Sequence, residues 1–166
     1  MSHTGLILFS HGSLLCGADS TLYLHADRIR VKQLFHHVEV GFLNYNRPTI
    51  SEAVENHLQA GCTHIIVVPF FLVPGRFVTR DLPEALRKVE ERHPNITITI
   101  ADPIGYDERL ADAVSDLTSS AVDIDDWNQL TEKARMACKG DPLCPLYGVK
   151  GCPVREGVKD EERPAV

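Results

Sequence analysis

His11 is the residue of this chain best placed to do chemistry. It stands in Ser10-His11-Gly12-Ser13, directly after the apolar run Gly5-Leu6-Ile7-Leu8-Phe9. An apolar run of this length, closed by small polar residues and glycine, predicts a buried parallel strand emptying into a turn. Open parallel α/β sheets bind their ligands beyond the carboxyl ends of the strands. An imidazole delivered there can ligate a metal ion or move a proton near neutral pH. The plainer alternative is a strand-end histidine satisfied by backbone and water.

Two other segments are predicted to reach the same edge. One is Phe42-Leu43-Asn44-Tyr45-Asn46-Arg47-Pro48-Thr49-Ile50, and the other runs from Phe70-Phe71-Leu72-Val73-Pro74-Gly75-Arg76-Phe77 through Val78-Thr79-Arg80-Asp81-Leu82-Pro83. Arg76 and Arg80 offer charge-assisted hydrogen bonds to carboxylates, helped by the hydroxyls of Ser10, Ser13 and Thr79. The alternative for both arginines is ordinary surface charge. Asn44 can donate and accept hydrogen bonds but is no base. The remaining histidines carry less. His36-His37 falls at a helix-to-strand junction, where it reads as capping or surface. His25 and His57 fall within helices, and His64 and His93 near element ends. Cys16 is either a soft ligand swung back toward His11 or a buried structural thiol.

The elements that must position these residues alternate along the first hundred positions. Strands are predicted over 6–10, 38–43, 64–71 and 96–101, and the third is apolar enough to be buried on both faces. Helices are predicted over 19–35, 51–59, 81–91 and 107–117 from apolar spacing, with Gly61 stopping the second. Strand, helix, strand with short connections gives right-handed parallel crossovers, hence a layered α/β domain with a four-stranded parallel sheet flanked by helices. That domain covers 1–122. The extension 123–166 opens with a helix over 123–136, whose Ile124, Trp127, Leu130 and Ala134 form an apolar stripe. A Gly/Pro/Cys-rich stretch and a charged end follow it.

Composition bounds the partners. A hydrophobic content of 43% supports a true core. A net charge of -6 argues against nucleic acid or an anionic membrane as a partner. No apolar segment approaches the roughly 20 residues that span a bilayer. With no signal peptide legible, the expected location is cytoplasmic. Five cysteines, an odd number, argue against a disulfide framework in that setting. Cys138, Cys144 and Cys152 crowd together near the end. Their spacing is not that of a common zinc site or ferredoxin loop, which leaves iron–sulfur, zinc or free thiols open.

The strand-end His-Gly-Ser, the Phe-Leu followed by Pro-Thr-Ile, and Pro-Phe-Phe-Leu-x-Pro-Gly-Arg with Asp-Leu-Pro beyond it resemble, in order and spacing, the sirohydrochlorin cobaltochelatase/ferrochelatase family of class II chelatases. The resemblance spans about residues 5 to 118. It implies a chelatase-like fold in which a divalent metal, cobalt or iron, is inserted into a reduced tetrapyrrole. It also implies that His11 is the catalytic and metal-binding histidine, and that single-domain members pair as homodimers. Ser10, Ser13, Asn44, Arg76, Phe77, Thr79 and Arg80 then become candidate substrate-binding residues. The Cys144-Pro145-Leu146-Tyr147 segment is similar to tails that hold an iron–sulfur cluster in some relatives. Three positions depart from the pattern. Phe77 stands where the family usually has a second histidine, Asn44 where it usually has Glu, and Arg47 where it has another acidic residue. A single histidine holds a borderline divalent metal weakly. Three expectations therefore stand together: a chelatase using other groups, a tetrapyrrole- or metal-binding relative that no longer metallates, or half of an assembly whose partner supplies ligands.

Overall fold

In the computed structural model, residues 3–13 and 18–124 are described. Cys16, Cys138, Cys144, Cys152 and all but the first two positions of the helix expected over 123–136 lie outside them.

Four strands, β1 (Thr4–Ser10), β2 (His37–Phe42), β3 (His64–Pro69) and β4 (Thr97–Ile100), form one sheet in the order β2-β1-β3-β4. Every pairing is parallel. Successive side chains of a strand point to opposite faces, and β1 uses this to build two cores. Ile7 and Phe9 join Ile65, Val67 and the buried residues of α2 (Ile50–Gln59) and α3 (Leu82–Glu90) on one face. Leu6 and Leu8 join Val38, Val40 and Phe42 with Leu22 and Ala26 of α1 (Ser20–Arg30) on the other. Burying each such side chain contributes about 1.5–3 kcal/mol. β1 is thus central in both directions.

Local signals account for the helices. Thr49 caps α2, accepting from the Glu52 amide while the Glu52 carboxylate accepts from the Thr49 amide, a reciprocal capping box. Ile50, Ala53, Val54 and His57 give α2 its buried face at helical spacing. α1 stops sooner than the expected position 35. Gln33 takes a positive φ of 53° and Val31 and Leu34 are left exposed, while Phe35 packs against the α1-side core from beyond the helix. β3 ends at Pro69, and its burial is unequal: Ile65, Val67 and Pro69 are buried, whereas Ile66 and Val68 are half-covered. β4 is a largely exposed edge strand. The last helix, α4 (Glu108–Leu117), is capped by Asp107 and buries none of its residues. Val114 and Leu117 stay exposed on it.

The connections set the location of a cleft. After β1 the chain crosses to β2 through α1 on one face; after β3 it crosses to β4 on the face of α2 and α3. Adjacent strands whose following connections leave on opposite faces define a topological switch point, and the crevice beyond their carboxyl ends is where such sheets bind ligands. Here that crevice lies past Ser10 and Pro69.

Candidate active site

Hydrogen bonding continues past the strand ends. Leu43 donates its amide to the Ser10 carbonyl at 3.0 Å, Asn44 donates to the His11 carbonyl at 2.9 Å, and Phe70 donates to the Phe9 carbonyl at 2.7 Å. The main chain at His11 is therefore held to the β2 loop by the same kind of bond that holds the sheet. Gly12 makes the tight turn after it. Its φ is +87°, and a Cβ there would fall 1.9 Å from the Asn44 carbonyl oxygen. Only glycine meets both demands. Asn46 closes the turn, its Oδ1 accepting from the Ser13 amide at 2.7 Å.

Two segments converge on the His11 ring, the loop after β2 and the one after β3. Phe77 lies across it, with ring centroids 4.1 Å apart and planes tilted by 31°. Tyr45, from the β2 loop, approaches edge-on at 5.5 Å. The Asn44 side-chain amide is 3.5 Å from His11 Nε2, at the outer limit of a hydrogen bond, and His11 Nδ1 is 3.2 Å from the Gly12 carbonyl oxygen. The fold thus brings the side chains of His11, Asn44 and Phe77 together at the sheet edge that their segments were expected to share.

The other candidate residues are close in sequence to this cluster but engaged locally. Phe77 opens a π-helical turn, Phe77–Asp81, that leads straight into α3. Such turns carry more residues per turn than an α-helix and occur often at functional sites. Arg76 donates Nε to Asp81 at 3.3 Å, and Arg80 donates Nε to Glu84 at 3.1 Å; both side chains are well exposed. Thr79 donates its hydroxyl to the Gly75 carbonyl at 3.2 Å. Ser10 and Ser13 are half-buried on the β1 side. Arg47 forms an ion pair with Glu52 and thereby faces α2. Exposed ion pairs of this kind stabilise by at most about 1 kcal/mol, so an incoming carboxylate can compete for Arg76 and Arg80.

Sequence reasoning gave no role to Tyr45 or Asn46. Tyr45 has a φ of +66°, and positive φ at a bulky side chain marks a position that its surroundings hold. The only advance signal was their place in a loop following a strand. Tyr45 and Phe77, whose rings lie against His11, are exposed, and so are Leu72 and Val73 earlier in the segment that carries Phe77.

A histidine at a switch-point crevice, with the rings of Tyr45 and Phe77 against it, sits where parallel α/β domains bind their ligands. The CbiX family model matches residues 5–121, and the chain belongs to that family. It is 31% identical over 135 residues to a sirohydrochlorin cobaltochelatase of Methanocaldococcus jannaschii, a match covering 67% of this chain and 94% of the relative. A sirohydrochlorin cobaltochelatase of Saccharolobus solfataricus is 35% identical over 116 residues, covering 66% and 89%. Among solved structures, SirB from Bacillus subtilis with Fe3+ superposes with a TM-score of 0.66 at 28% identity, over 74% of this chain and 49% of that one. No helix among the described residues is long and apolar enough to cross a membrane.

Proposed function

We propose that this protein binds sirohydrochlorin or a closely related reduced tetrapyrrole against the exposed side chains of Tyr45, Leu72, Val73 and Phe77, and inserts a divalent metal, cobalt or iron, into it with His11 as the reacting side chain. The observation that carries this reading is the position of the His11 ring at the switch-point crevice, 4.1 Å from Phe77 and beside Asn44. Metallation removes two protons from pyrrole nitrogens as the metal takes their place. His11 serves as the acceptor of one such proton, the other passing to solvent water, or as a ligand that presents the metal to the ring while both protons pass to water. Arg76 and Arg80 hold peripheral carboxylates by leaving Asp81 and Glu84. The family membership and the names of the relatives support the substrate class and leave cobalt and iron as alternatives.

Phe77 favours a second reading. Its ring covers the face of His11 where a second ligand would be needed, so a tetrapyrrole- or metal-binding protein without insertion activity fits the same site. A homodimer reconciles the two readings, because a second copy can supply ligands that one domain lacks. The test is to incubate the protein with sirohydrochlorin and Co(II) or Fe(II) and follow absorbance against the spontaneous reaction. Insertion is expected to fall by about 100-fold or more in His11→Ala, since a positioned acid–base group contributes at least that much. Undiminished activity in that variant would refute the role given to His11, and binding without acceleration by the unaltered protein would select the second reading.

A further inference from the structure

At the opposite end of the sheet a second polar cluster is built into the domain. His37 and Glu39 lie on β2 and His57 on α2, and one donor atom from each falls within 4.8 Å of the others. His37 Nε2 is 3.9 Å from Glu39 Oε2, and the two imidazole rings meet edge to face at 4.6 Å. His37 pairs in register with Gly5 at the start of β1, whereas Ser10, just before His11, pairs with Phe42. Five residues of strand at about 3.3 Å each separate the two ends by roughly 16 Å. The cluster is therefore distinct from the His11 site.

We propose that His37, Glu39 and His57 form a binding site for a borderline divalent cation of the Zn(II) or Co(II) type. The donor set comes first: two imidazole nitrogens and one carboxylate oxygen are the ligands such cations choose, with a fourth position left for water. A tetrahedral shell with bonds of about 2.0–2.1 Å places ligand atoms about 3.4 Å apart, so His37 and Glu39, at 3.9 Å, need to close by about half an ångström and no pair of the three by more than about 1.4 Å. Among the described residues this is the one cluster of three or more histidine, cysteine or acidic side chains with such proximity.

The bonding of His57 is the second, independent observation. It is wholly buried. Its Nδ1 lies 2.7 Å from the Ala53 carbonyl oxygen and its Nε2 3.2 Å from the Leu6 carbonyl oxygen, and the shorter contact assigns the N–H to Nδ1. A neutral imidazole has a single N–H. With that proton committed to Ala53, the Nε2 lone pair faces an oxygen lone pair, and a cation at Nε2 removes the conflict. The Nδ1 bond to a backbone carbonyl is also the arrangement that orients metal-binding histidines.

The surroundings support the ligands. Asn56 donates to both Glu39 oxygens at 3.1 Å, fixing the carboxylate while leaving further lone pairs for a metal. Gly5 makes room for the ring: a Cβ there would sit 2.1 Å from His57 Cδ2. A glycine at that strand position costs β stability and gains no packing of its own. Its use is to let His57 lie across β1 toward His37.

The experiment uses the full-length, chelator-treated protein with Cys138, Cys144 and Cys152 replaced by serine to silence other thiolate ligands, and Co(II) alone as probe. Crystals grown with Co(II) should show anomalous density between His37, Glu39 and His57. In solution, Co(II) should raise the melting temperature, because a ion that binds only the folded state stabilises it. That rise should persist in His11→Ala and fall at least tenfold in apparent affinity in His37→Ala, a substitution at a partly exposed ring. Glu39→Gln provides a second variant should His37→Ala fold poorly. Absence of density at millimolar Co(II), or density and stabilisation that survive both substitutions, would overturn the proposal and leave an adventitious ion only.

Discussion

Gly12→Ala is the substitution on which the architecture of the His11 site can be judged most sharply. Two separate costs fall on one added methyl group. The first is conformational: φ of +87° is left-handed backbone, where an L side chain costs about 1–2 kcal/mol. The second is steric. The new Cβ would lie 1.9 Å from the Asn44 carbonyl oxygen and 3.0 Å from Asn46 Oδ1. The first contact is with backbone, so the β1 and β2 loops must separate by an ångström-scale step. That movement stretches the bonds from Asn44 to His11 and from Ser13 to Asn46, which hold the ring in place. Both core clusters lie outside the turn and should persist. We expect a folded protein destabilised by about 1–3 kcal/mol in a urea melt followed by far-UV circular dichroism. Insertion should slow by about 100-fold, the scale associated with a misplacement of 1 Å. A variant with unchanged stability and a rate within threefold of the parent would refute the claim that this turn positions the site.

Three further outcomes follow from named contacts. Phe77→His should raise the insertion rate at least tenfold if the aromatic ring occupies the place of a missing ligand; an unchanged rate with unchanged tetrapyrrole binding would count against it. Asp107 caps α4 and bonds the Arg109 guanidinium and amide, which hold its carboxyl at a pKa of about 2. A depressed carboxyl pKa contributes stability that is complete above its ordinary 3.8 and is lost as pH falls through about 2. NMR titration of the Asp107 carboxyl should give the low midpoint in the parent and a return toward 3.8 in Arg109→Gln, with an unmoved midpoint excluding the Arg109 side chain as the cause. Thr49→Ala removes one half of the capping box and should cost about 1 kcal/mol in the same urea melt, whereas Thr49→Ser should restore most of it.

Much of the scaffold was legible because β1, β3 and α2 each carry a strong local signal that agrees with their burial. Leu6 to Phe9 are buried as their unbroken apolar run requires, and the His-Gly-Ser turn falls where the run ends. The end of α1 was not legible. Leu34 continues the apolar spacing, but the positive φ at Gln33 takes the chain out of the helix first. The π-helical turn at Phe77 was equally hidden, since Pro74-Gly75 before it and Pro83 at the start of α3 mark breaks without specifying the kind of turn between them. For the site, the pattern located His11, Asn44 and Phe77, while Tyr45 and Asn46 depend on loop geometry that no periodicity encodes. The His37–Glu39–His57 cluster was illegible for another reason. It joins a strand and a helix through Gly5, and glycine at a strand start carries no hint of the ring that needs its space.

The bonds from Leu43 and Asn44 to the carbonyls of Ser10 and His11 have a consequence for the thermodynamics of association. Loops that close over a ligand lose conformational freedom at the moment of binding, and that loss is subtracted from affinity. Here the backbone on both sides of the His11 ring has already lost that freedom during folding, because it is hydrogen-bonded as an extension of the sheet. Among the described residues of these segments, the exposed side chains of Arg76 and Arg80 keep rotamer freedom that binding would order. A ligand docking against His11, as proposed, would therefore meet main chain already ordered at Ser10, His11, Leu43 and Asn44, and the entropic penalty at those residues would fall on side chains and the ligand.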